Sequence, residues 1–126
     1  MNRAELEVKK HFGKQGYDVV DLNPTVFLYN LLDDKTALAS ELSEEIGRAK
    51  FYEGCPDFLV YDAVKKADKE WEVFEVFFVE VKSANDSLST EQIDWIAKGS
   101  IDAEIKLAVF DEDLKIYDIS ITSVLS

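Results

Sequence analysis

Between Trp71 and Lys82 the chain carries apolar side chains in both phases of a two-residue alternation, Phe74, Val76 and Phe78 in one and Val73, Phe77, Val79 and Val81 in the other. Successive strand residues face opposite sides of a sheet, so this segment predicts a central strand covered on both faces. Continuing the alternation puts Glu80 and Lys82 on the face of Val76 and Phe78. A carboxylate and an ammonium in apolar surroundings must be partnered or must line a cleft, which marks this strand end as a site.

The remaining pattern supplies the layers for such a sheet. Residues 3–15 read as a helix ended by Gly16, with Leu6, Val8 and Phe12 as its apolar contacts. Tyr17 to Leu22 reads as a short strand, Asn23-Pro24 as a turn, and Thr25 to Leu32 as a second strand broken by Asp33-Asp34. Thr36 can cap a helix on which Leu38, Leu42 and Ile46 share one face while Glu41, Glu44 and Glu45 face water. After the Gly54-Cys55-Pro56 turn, a strand is expected over Asp57 to Asp62, then a charged connection from Val64 to Glu70. A helix from about Ser89 to Lys98 stops at Gly99, and strands Ile105 to Phe110 and Lys115 to Ile121 flank an Asp111-Glu112-Asp113 turn. Helices alternating with doubly covered strands predict an α/β fold with a mixed sheet, a single domain over residues 1–126.

With 47% hydrophobic residues, including eight Phe, five Tyr and two Trp, the chain can build a core without staples. The single Cys55 excludes an internal disulfide, and no Cys/His cluster has zinc spacing, which predicts a reducing, cytoplasmic location. The apolar runs are shorter than a membrane span, and the first residues, with Glu5 and Glu7, are unlike a signal peptide. The net charge of -12 opposes phosphate binding, yet the lysines fall in local groups, Lys9/Lys10/Lys14 and Lys65/Lys66/Lys69. An acidic cleft that holds divalent cations is also negative before the ion binds.

Phosphodiester hydrolysis needs an activated water, neutralised charge on the phosphorus and help for the leaving oxygen, and a carboxylate-held divalent metal supplies all three. Asp57 at the start of one strand and Glu80 at the end of its neighbour can hold Mg²⁺ or Mn²⁺ together with the carbonyl of Val81. Lys82 beside them would orient or deprotonate the water and stabilise developing negative charge. Pro56-Asp57 followed by Glu80-Val81-Lys82 resembles the PD-(D/E)xK nuclease superfamily. Within it the wording is most similar to the VRR-NUC nucleases and the archaeal Holliday junction resolvases: Gly54-x-Pro56-Asp57-Phe58, then Phe78 to Lys82, then Asp86-x-Leu88-Ser89-x-x-Gln92-x-x-Trp95.

That resemblance implies a restriction-endonuclease-like fold, a central mixed sheet flanked by helices, in a Mg²⁺- or Mn²⁺-dependent DNA nuclease. Asp57 and Glu80 would be its metal ligands and Lys82 its water-activating residue. It also implies a glutamate from the first helix, for which Glu5 and Glu7 compete. At about 100° per residue Glu5 lies within about 20° of Phe12 and Glu7 about 140° away, so Glu5 is preferred. Gln92 is carried over as a residue near the scissile phosphate. The same resemblance implies branched DNA as substrate, in repair or recombination, and a two-fold homodimer. The acidic charge favours a larger DNA-binding partner that delivers the substrate.

Each residue also has a structural role open to it. Glu80 and Lys82 can form an ion pair, Asp57 can terminate a turn, Ser89-x-x-Gln92 is a capping box, and Glu5 suits the helix dipole. The competing function is a catalytically inactive nuclease-fold module acting with a larger partner. A hydrolase built on Cys55 and His11 is set aside, because no basic neighbour or helix start activates the thiol.

Overall fold

The computed structural model describes residues 2–22, 36–45, 47, 53–68, 70–99 and 103–119. The expected strand from Thr25 to Leu32 lies outside them. Helix α1 (Arg3–Lys14) is followed by strand β1 (Asp18–Asp21), helix α2 (Thr36–Glu41), strands β2 (Phe58–Lys65) and β3 (Trp71–Ser83), helix α3 (Thr90–Gly99), and strands β4 (Ile105–Asp111) and β5 (Asp113–Ile119). The strands lie in sequence order in one sheet, with β3 and β4 parallel and the other pairs antiparallel. Parallel neighbours need a crossover, and α3 provides it.

Asn2 starts α1 through a reciprocal capping box: its side chain accepts from the Glu5 N–H at 2.9 Å, and the Glu5 carboxylate accepts from the Asn2 N–H at 3.4 Å. Ala4, Val8 and Phe12 at i, i+4 and i+8 form its buried stripe. Leu6, expected among these contacts, is 47% exposed, because two residues turn a helix by about 200° and carry it to the far side. The stripe packs on Phe58, Val60, Phe77, Val79, Val81 and Ala108, one face of the sheet. Leu38 and Leu42 of the α2 region and Trp95 and Ile96 of α3 cover the other face over Leu59, Tyr61, Phe78 and Ile105. Both faces of the β2–β3 centre are dry, and each large apolar side chain buried there is worth roughly 1.5–3 kcal/mol.

The long β3 strand departs from a uniform alternation. Asp62 pairs with Glu75 but Ala63 with Val73, which leaves Phe74 as the extra residue of a β-bulge. The bulge inverts the phase, so Val73 packs with Val76 on the α2/α3 face and Phe74 is 59% exposed, reversing the facing expected of both. Beyond the bulge the expected alternation holds through Lys82. The charged segment expected as a loop from Val64 instead extends β2 to Lys65 in a hairpin, which the Lys66 N–H closes by donating to the Glu70 carbonyl at 2.7 Å. Residues 64–68 are exposed, and charged side chains suit strand ends left open to solvent. β5 begins at Asp113 rather than Lys115, because Glu112 adopts φ 52° and reverses the chain alone.

Candidate active site

At the carboxyl end of β3 the sheet brings two acids face to face. The β2–β3 register, Phe58 opposite Val79, runs on by one residue to set Asp57 opposite Glu80. Directly opposed residues share a face, with Cβ atoms about 5 Å apart. Asp57 falls just outside β2, where its carboxylate replaces the strand's backbone: Oδ2 accepts from the Val81 N–H at 2.8 Å, and its carbonyl accepts from the Leu22 N–H at 3.0 Å. One residue thus fastens the ends of β1, β2 and β3 together.

Glu80 is 3% exposed, the one buried charged side chain among the described residues. Its Oε1 receives the Gln92 side-chain amide at 2.8 Å and lies 3.5 Å from the half-buried Lys82 ammonium. Burial, and then the neighbouring Asp57, push its pKa up to about 8, outweighing the opposite pull of Lys82. The carboxyl therefore holds its proton near neutral pH until something positive enters.

Gln92 serves two structures at once. Its amide oxygen accepts from the Ser89 N–H at 2.8 Å while Ser89 Oγ accepts from the Gln92 N–H at 3.1 Å, completing the capping box of α3. Its amide nitrogen is the donor to Glu80. The capping role and the site role are therefore compatible.

Gly54 explains why the turn before Asp57 has its composition. Its φ of +78° favours glycine, and a Cβ there would fall 2.7 Å from the Gln92 nitrogen and closer still to the Glu91 carbonyl. The missing side chain lets α3 approach the Asp57 turn, which brings Gln92 onto Glu80. Trp95 anchors the same helix edge-on to Phe78 with ring centres 4.8 Å apart. Sequence reasoning did not assign this role to Gly54, although Gly-x-Pro-Asp carried the signal. Asp86, present in the motif without a role of its own, accepts from the Ser83 N–H at 3.0 Å through its carboxylate and turns the chain from β3 toward α3.

Glu5 and Asp57 line one cleft of about 340 Å³ with Asp21, Leu22, Cys55 and Pro56. Glu7 lies elsewhere, in a cavity with Lys10, His11 and Lys14. Cys55 has its thiol pKa raised by burial, by Glu80 and by Asp57, the reverse of what a nucleophile needs. His11 lines the other cavity, with Glu7 and Lys14, and bonds Gln15 at 3.2 Å, whereas Cys55 lines the cleft with Asp57.

Among the described residues no three His, Cys, Asp or Glu side chains make a closed cation cage. The donor set fits a hard cation that keeps water: Mg²⁺ takes one or two carboxylates and fills its other positions with water and phosphate oxygens. Two opposed carboxylates, one with its proton affinity raised by the other, form such a partial nest.

A mixed sheet flanked by helices, with Asp57, Glu80 and Lys82 at adjoining strand ends, defines the restriction-endonuclease-like fold of PD-(D/E)xK-type nucleases. The sequence model of the VRR-NUC domain matches residues 23–110, more than half of the chain, and the chain belongs to that nuclease family. The match spans Asp57, Glu80, Lys82 and Gln92, while Glu5 precedes it. No curated protein and no solved structure matches the chain.

Proposed function

We propose that this chain is a divalent-metal-dependent nuclease that hydrolyses DNA phosphodiester bonds at the carboxyl end of β3. Asp57, Glu80 and the main-chain carbonyl of Val81 would hold Mg²⁺ or Mn²⁺, with Glu5 as a further acid across the cleft. When bound, the ion supplies a water of lowered pKa and positive charge against the phosphate.

The protein's own groups do the rest. Glu80 releases its proton as the cation binds. Lys82, held 3.5 Å from Glu80, presents its ammonium where negative charge develops, and it orients the attacking water. Gln92 is a positioning residue that fixes the Glu80 carboxylate through Oε1. The Asp57 contact to the Val81 N–H keeps the β2 and β3 ends in register.

The observation that supports this reading is the facing of Asp57 and Glu80, two acids at a buried strand end whose joint ionisation a bound cation would favour. An inert module would carry that cost in stability for no return. The family extends the proposal to branched DNA in repair or recombination, worked on by a two-fold dimer. The charge of -12 extends it to a larger DNA-binding partner, and the lone Cys55 to a cytoplasmic location. The proposal covers residues 1–126 as one domain.

Calorimetric titration with Mn²⁺ tests it. Wild type binds the ion, and Asp57→Asn and Glu80→Gln each lose at least about tenfold in affinity. Equal affinity in all three proteins would place any metal elsewhere.

A further inference from the structure

The Lys9/Lys10/Lys14 group is divided by the fold. Lys9 turns toward β1 and pairs with Asp21 at 3.6 Å. Lys10 and Lys14 line a cavity of about 330 Å³ with Glu7, His11, Gln15 and Leu114, between the flank of α1 and the start of β5. At about 100° per residue, positions 3, 10 and 14 fall within about 40° of one another and Glu7 within about 60° of all three, so Arg3 begins the same stripe. Arg3 holds its guanidinium 5.4 Å from the centre of the Phe110 ring, and Phe110 is the register partner of Ser83, the residue after Lys82. The stripe therefore starts at the end of the sheet that carries the candidate active site, but on the α1 face, on the flank of α1 turned away from Glu5, and leads from there along α1.

In a chain of net charge -12 this stripe keeps much of its positive charge out of ion pairs among the described residues, as Lys65 and Lys115 also do. Arg3 and Lys14 have no carboxylate partner among the described residues, and Lys10 has only Glu7, at 3.8 Å on the exposed helix surface. Two bases outside the stripe are held by carboxylates, Lys106 by Glu104 at 3.1 Å and Asp118 at 2.7 Å, and Lys66 by Glu72 at 3.6 Å. The Phe110 ring lies against the exposed Arg3 guanidinium, and an arginine fork so placed suits phosphate. The acidic Asp111-Glu112-Asp113 turn follows Phe110 directly and bounds the stripe on its β4–β5 side.

We infer that the α1 flank formed by Arg3, Lys10 and Lys14 is the track that carries the phosphates of duplex DNA to the candidate site. The twelve residues of α1 span about 18 Å, the rise of about five base pairs. The inference rests on the nuclease reading for the direction of the track. Its binding prediction stands apart from cleavage. The three cations are assigned to phosphates alone, so the contact is to backbone and independent of sequence.

Fluorescence anisotropy with a labelled duplex, in Ca²⁺ and over a series of salt concentrations, tests it on the full chain. The Arg3→Gln/Lys10→Gln/Lys14→Gln protein should bind at least about tenfold more weakly at 0.1 M salt. The slope of log affinity against log salt should be shallower by about 2 to 3, one increment per lost phosphate contact. Lys65→Gln/Lys66→Gln, at the opposite end of β2, should bind as wild type does. Matching melting curves establish that the variants fold.

An unchanged slope in the triple variant overturns the track, and so does a wild type that does not bind duplex DNA. A wild type that binds with the expected slope, yet cuts no DNA in Mg²⁺ or Mn²⁺, sinks the nuclease reading and leaves the track standing.

Discussion

Gln92 donates to Glu80 Oε1 at 2.8 Å while its own amide oxygen caps α3 by accepting from Ser89. A single amide joins the start of a helix to a buried acid, so the helix cannot move without disturbing the carboxylate. The two halves of the amide can be separated chemically.

Gln92→Glu keeps an oxygen for the Ser89 N–H but removes the donor and sets a third carboxylate beside Glu80. It should unfold near the wild-type temperature and cleave at least about tenfold more slowly. Gln92→Ala loses both contacts and should cost about 1 kcal/mol of stability as well. Thermal melts alongside cleavage rates separate the two; full activity in Gln92→Glu would deny Gln92 its positioning role.

Glu80 sets a pH dependence of stability in the metal-free protein. Its folded pKa of about 8 lies above its ordinary value of 4.5, so the folded chain binds the proton more tightly than the unfolded chain does. Stability from this group is complete below about pH 4.5, falls as pH rises, and levels off above about pH 8. The total is at most about 5 kcal/mol. Urea denaturation in EDTA across this range should show the decline, and Glu80→Gln should flatten it. At pH 7 metal binding should release close to one proton, read as a dependence of calorimetric heat on buffer ionisation. Identical pH profiles for wild type and Glu80→Gln would show that the Glu80 proton affinity is ordinary.

Gly54→Ala should be among the more damaging single-methyl changes in the chain. The new Cβ meets the Glu91 carbonyl and the Gln92 nitrogen, in a backbone conformation that disfavours it. A loss above about 2 kcal/mol in urea denaturation is expected, with cleavage reduced because α3 is displaced. A neutral substitution would mean that α3 does not seat on this turn as described.

Much of the fold was legible because the strongest signals were periodic. The two-phase apolar run of β3, the Val8/Phe12 spacing of α1 and the Ser89-x-x-Gln92 cap each encode their element locally. The Phe74 bulge was not legible, because nothing in an alternating run shows where a partner strand skips a residue. Leu6 misled by being apolar on the wrong side of a helix. For the site, the sequence ordered Asp57, Glu80 and Lys82, and the antiparallel register opposed the first two. It could not show that Gly54 makes room for Gln92, since that contact joins a turn to a helix far along the chain.

Glu5→Gln separates the two roles of the first-helix acid. It keeps an oxygen for the Asn2 N–H, so the α1 cap should survive with stability changed by less than about 1 kcal/mol. Metal affinity should weaken if Glu5 serves the cleft it lines with Asp57. Glu7→Gln, on the other flank, serves as the control. Equal Mn²⁺ affinity in both variants would leave Glu5 as a helix-capping residue alone.

The most direct measurement of the whole account is the rate at which wild type and Lys82→Ala cut labelled linear, flapped and four-way DNA in Mg²⁺ or Mn²⁺. Wild type should cut at least one of these, and Lys82→Ala should be slower by about 10²- to 10⁴-fold while retaining the wild-type fold. Cleavage at the same rate by both proteins would contradict the assignment of chemistry to the Asp57, Glu80 and Lys82 strand ends.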